Sequence, residues 1–111
     1  MAKILTQYPN NMEKRDAYRL TRATTKKMKE AAGSVITPEK FVLYEDADAK
    51  SGEIKTVLTV EAEGEVFGTI SPTFIREFVD AAEEFGGTPG PIKVIVGESK
   101  NGREYVTCEI V

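Results

Sequence analysis

A single short helix stands among β-type segments, and its boundaries can be read directly from the chain. Ser71 can cap free backbone amides, Pro72 takes the first helical position where its missing N–H costs nothing, and Gly86-Gly87 ends the helix. Between them Ile75, Phe78, Val79, Ala82 and Phe85 recur at steps of three and four, which predicts a helix over 72–85 with that face, both phenylalanines included, in the core. Three strand-like segments precede it, 35–46, 53–61 and 65–70, and two follow, 92–96 and 103–111. Pro38 interrupts the first, since proline cannot donate to a ladder, and predicts a long bent strand. Asn101-Gly102 makes a hairpin of the last two. Three strands, a helix and two strands is the order of an OB-fold-like β-barrel, so the expected fold is mainly β over 34–111, with the helix between strands 3 and 4. A ubiquitin-like or other α+β domain is the alternative.

Composition removes several function classes. The chain has 111 residues, enough for one core. No apolar run approaches the roughly 18 residues of a membrane span, so no membrane partner is expected. The start, MAKILTQYPNNMEKR, has only Ile4-Leu5 as an apolar patch and lacks the core of a signal peptide. The lone Cys108 has no internal partner for a disulfide, which suits a cytoplasmic location. Without histidine, neither a Ser-His-Asp arrangement nor a His-bearing zinc site can be built. The 18 acidic residues show no spacing that singles out a catalytic pair. Gly86, Gly87 and Gly90 follow a helix and precede a strand, the reverse of a phosphate-binding loop. Neither a cofactor nor an enzymatic activity is expected.

Charge is uneven along the chain. Residues 1–30 carry eight cations against three acids, a net of +5, while the remainder carries seven against fifteen, a net of −8. Residues 1–33 therefore read as a basic N-terminal arm or helix. If 13–31 is helical, Arg15, Arg19, Arg22, Lys26 and Lys29 line one face at steps of four and three, a row that can track phosphates. Equally open is a solvated face, or one that packs on acids of its own chain. Tyr18-Arg19-Leu20-Thr21 also alternates like a strand, and Thr21, Thr24 and Thr25 favour that reading. Apolar support for the helix is limited to Ala17, Leu20, Met28 and Ala31, which suggests an arm partly disordered when free. Pro9, Asn10 and Asn11 mark the chain before it as a loop or tail.

Strand alternation sorts the rest into faces. Ile54, Thr56, Leu58 and Val60 share one side of their strand and Lys55, Val57, Thr59 and Glu61 the other, while Phe67 falls opposite Val66, Gly68 and Ile70. In the hairpin Ile92, Val94 and Val96 pair with Val106, Cys108 and Ile110 as the inward set, so Cys108 is expected to be buried. Lys93, Ile95, Arg103, Tyr105 and Thr107 face out. An exposed aromatic flanked by cations suits single-stranded nucleic acid, because bases stack on the ring and cations hold the backbone. A surface tyrosine without function is the plainer reading.

The strings MKEAAGSVI, FVLYEDADAKSGE, EGEVFGTISPTFIREF and IKVIVGESKNGREYVTCEIV resemble a group of small bacteriophage and mobile-element proteins taken to be single-stranded DNA-binding proteins, over residues 28–111. The resemblance implies an OB-like barrel that binds single strands without sequence preference inside a bacterial host cell, can form homo-oligomers and works alongside replication or recombination proteins. No catalytic residue comes with it. The expected function is thus single-stranded DNA binding, with Arg15, Arg19, Arg22, Lys26, Lys93, Lys100 and Arg103 on the backbone and Tyr44, Phe67 and Tyr105 stacking on bases. The alternative is a protein-interaction adaptor or phage inhibitor of a host protein, for which the acidic barrel would dock on a basic partner.

Overall fold

The structure, a computed structural model, describes residues 3–22, 26–47 and 49–111. In chain order it runs β1 (Lys3–Tyr8), α1 (Lys14–Arg22), β2 (Lys26–Lys27), a 3-10 turn (Met28–Ala31), β3 (Val35–Ile36), β4 (Lys40–Ala47), β5 (Ile54–Ala62), β6 (Glu65–Thr69), α2 (Pro72–Glu84), β7 (Ile92–Glu98) and β8 (Glu104–Ile110). The protein is mainly β, and the predicted order of strands around α2 is present. Ser71 caps α2, its Oγ accepting from the Phe74 N–H.

The strands form two sheets instead of one closed barrel. The first, of five strands, has the order β1-β4-β5-β6-β2, and the second, of three, the order β3-β7-β8. Pro38 is where they diverge: β3 before it pairs with β7, and β4 after it pairs with β1 and β5. What reads as one bent strand is therefore two strands in different sheets. The outer edge of β8 meets the start of α2, where the Ser71 hydroxyl donates to the Val106 carbonyl at 2.9 Å. A helix cap thus occupies a position that barrel closure would give to a strand.

The main core lies between the sheets. Phe41, Leu43, Leu58, Val60 and Phe67 from the first sheet meet Ile36, Ile92, Val94 and Cys108 from the second, and α2 inserts Phe74, Phe78 and Ala82. Phe78 meets Phe41 edge-on at 5.0 Å. The inner stripe of α2 is thus 74-78-82, with Ile75 and Val79 at its side. Phe85, predicted for the core, sits at the C-cap and is 58% exposed, because the stripe has turned away from the sheet by the last turn.

A second, smaller core lies on the opposite side of the large sheet. Met12, Ala17 and Leu20 of the α1 region pack on Val42 and Tyr44, with Val57 and Val66 at the margin. The segment read as an arm is therefore packed into the fold. Lys3–Tyr8, read as a tail, is an edge strand on β4, and the Tyr8 ring stacks on Phe41 and covers Gly87. Residues 14–22 form a helix where a strand was the competing reading, since Ala17 and Leu20 bury on one side of it. The helix stops at Arg22, so no single helical face spans 13–31. Thr24 and Thr25 lie outside the described residues.

Candidate nucleic-acid interface

Coverage of the large sheet on both sides decides which aromatics are open to a ligand. Phe67 points into the main core and Tyr44 into the smaller one, at 5% and 8% exposure. Neither ring presents a face to a base. Their expected stacking role presumed a barrel with one open face; here α1 covers the Tyr44 side of the large sheet, and the second sheet with α2 covers the Phe67 side. The cost of this double coverage is visible at Thr59, which is fully buried beneath α1 with its Oγ1 lacking a hydrogen-bond partner among the described residues.

Much of the predicted cation row is tied to carboxylates of the same chain. Arg19 reaches Glu61 at 2.8 Å and Asp16 at 3.7 Å, Lys26 reaches Glu65 at 2.7 Å, and Lys29 lies 3.7 Å from Glu104. Lys40 adds a 3.1 Å bond to Asp16. These partners shift the titrations: hydrogen bonding to Lys40 holds the Asp16 carboxyl below its ordinary range, Glu61 raises Arg19, and Glu65 raises Lys26. Arg15 and Arg22 have no ion pair among the described residues, and they share an exposed face of α1 with Lys14 and Tyr18, since positions 14, 15, 18 and 22 fall within one arc of the helix.

Tyr18 is the residue that sequence reading missed. It is 64% exposed, and the Arg22 guanidinium lies over its ring 5.4 Å from the centroid. Beside it runs a groove of about 320 Å³ floored by Ile4, Met12 and Ala17 and bordered by Lys14 and Arg22. The available signal was the four-residue step from Tyr18 to Arg22 within a cationic run.

Tyr105 is exposed as predicted, at 40%, and lies directly across from Gly97. Its ring covers that glycine so closely that a Cβ there would come within 2.5 Å of Cζ. The expected companions are dispersed. Lys93 sits four residues away along β7 and pairs in register with Glu109, while Lys100 and Arg103 are exposed at the hairpin tip. Two other cations share a groove with Tyr105. Lys27 and Lys29 line, with Tyr105, Met28, Val57 and Ile70, a groove of about 670 Å³ in the open seam between the sheets. Val57 belongs to this groove and to the margin of the α1 core, so the seam adjoins the α1 layer.

Cys108 is buried, as alternation predicts, and burial, with Glu77 nearby, pushes its thiol up to about 11. Among the described residues no set of three metal-ligating side chains converges, and no helix is long and apolar enough to cross a membrane. Comparison with protein-family models, curated protein sequences and solved structures finds no match to this chain.

Proposed function

We propose that the protein binds single-stranded DNA without sequence preference, along the exposed side of α1 and the adjoining seam. The observation that carries this reading is Tyr18, an exposed ring oriented by Arg22 and set among Lys14 and Arg15 beside an apolar-floored groove. A base stacks on such a ring whatever its identity, and the surrounding cations hold the backbone. Tyr105, with Lys27, supplies a second platform, and Lys100 and Arg103 extend the cationic contacts at the hairpin tip. The resemblance to phage and mobile-element proteins supports the same reading, as does the OB-like order of strands around α2, and both favour a role beside replication or recombination proteins.

Titration of labelled oligothymidylate at several salt concentrations, with duplex of equal length as the control, tests the proposal. Tyr18→Ala weakens single-strand binding by about 1–3 kcal/mol. Arg22→Ala lowers the salt slope by about one contact. Equal affinity for duplex, or binding that salt does not weaken, overturns the reading.

A further inference from the structure

We propose that the groove between α2 and the end of β8 docks a cationic peptide segment of a partner protein that carries a large apolar side chain. The groove measures about 650 Å³ and combines two features that have different consequences. Phe85 and Ile110 leave 58% and 50% of their surface open, and Glu77, Asp80, Glu84 and Glu109 surround them. Exposed apolar side chains of this size favour a partner that covers them, and the carboxylates select its charge.

The state of those carboxylates sets this surface apart. Around α1 and β2 the acids are matched by cations of the same chain, as in Asp16–Lys40, Glu61–Arg19 and Glu65–Lys26. Among the described residues Asp80, Glu84 and Glu109 form no ion pair, and Glu77 has only a 4.0 Å contact with its neighbour Arg76. Lysine or arginine from a partner can pair with these groups while its apolar residue covers Phe85 and Ile110. Phosphate and acidic peptides are repelled. The wall is preformed, because Cys108 beneath it is buried within the β7–β8 ladder. This proposal is independent of the nucleic-acid reading.

A labelled synthetic hexapeptide, Lys-Lys-Leu-Trp-Lys-Lys, titrated into the full chain provides the test. Saturable binding is expected, weakened about tenfold by Phe85→Ala and by the paired change Asp80→Lys with Glu84→Lys. All three positions are exposed, so the variants should keep the wild-type urea midpoint, and oligothymidylate binding should not weaken in Phe85→Ala. Three results overturn the proposal. One is undiminished peptide binding by both variants. Another is equal binding of a peptide with serine in place of leucine and tryptophan, which reduces the effect to net charge. The third is sedimentation showing that the chain associates with itself through these residues while ignoring the peptide, which assigns the groove to a second copy.

Discussion

The two helices do the same structural work with opposite surfaces. Each lies on sheet and buries a narrow stripe, Ala17 and Leu20 in α1, Phe74, Phe78 and Ala82 in α2. Outward, α1 shows Lys14, Arg15, Tyr18 and Arg22, whereas α2 shows Glu77, Asp80, Glu83 and Glu84 with Arg76 as its one cation among the described residues. A modest net charge of −3 therefore hides a molecule with two faces of opposite sign. Between them, around β2 and the 3-10 turn, ion pairs such as Lys26–Glu65 and Lys29–Glu104 neutralise locally. Exposed pairs of this kind add little stability, at most about 1 kcal/mol each, so their main effect is on which charges stay available to a partner. Under the two proposals the faces sort ligands by charge, nucleic acid to one and a basic peptide to the other.

The largest expected effects lie in the cores. Phe78→Ala removes a fully buried ring in edge-on contact with Phe41 and should cost about 3–5 kcal/mol in urea unfolding, while Phe85→Ala should stay within about 0.5 kcal/mol. Similar losses for both would return Phe85 to the core. Next, Leu20→Ala should cost about 2–5 kcal/mol if the α1 layer folds with the rest of the molecule. A separate arm would leave the main transition unmoved, and a second, earlier transition would show the layer melting alone. The smaller core also holds a defect that can be repaired. Thr59→Val replaces a hydroxyl that has no partner among the described residues with a methyl group, and the urea midpoint should rise by an amount equivalent to about 1 kcal/mol.

The smallest effect concerns pH. Asp16 has its folded value lowered beneath the ordinary 3.8, chiefly by its hydrogen bond to Lys40, so the stability it contributes is present above pH 3.8 and lost as pH falls through the lowered value. Asp16→Asn should lower the neutral plateau of a plot of melting temperature against pH slightly and flatten its acid limb, because the contribution it removes is the one present above pH 3.8. An unchanged acid limb would mean that the carboxyl gains nothing from Lys40 in solution.

Legibility followed the range of the interactions involved. Helix α2 was readable because its cap, its N1 proline and its terminal glycines all act within a few residues of its ends. The Asn101-Gly102 hairpin and the burial of Cys108 were readable because alternation and turn chemistry are local as well. The stripe of α2 was misjudged by part of a turn: Phe74, Phe78 and Ala82 recur at steps of four, but which flank faces the sheet depends on where the sheet is. Lys3–Tyr8 looked like a tail because its alternation is weak, and its partner β4 lies far along the chain. Tyr18 was passed over because its exposure depends on which side of α1 finds the sheet.

Local chemistry was therefore enough to place the elements from β4 to β8 in order, to separate the basic beginning from the acidic remainder, and to remove histidine-dependent catalysis. The number of sheets, the switch between them at Pro38, and the layer that closes over Tyr44 and Thr59 were settled by contacts among distant segments. An aromatic residue on a strand is a surface or a core residue according to what covers that face, and over Tyr44 the cover is a helix some distance earlier in the chain. Free cations likewise became distinguishable from paired ones only once Glu61, Glu65 and Glu104 had been brought beside them, because an ion pair depends on distance in space and not on spacing in sequence.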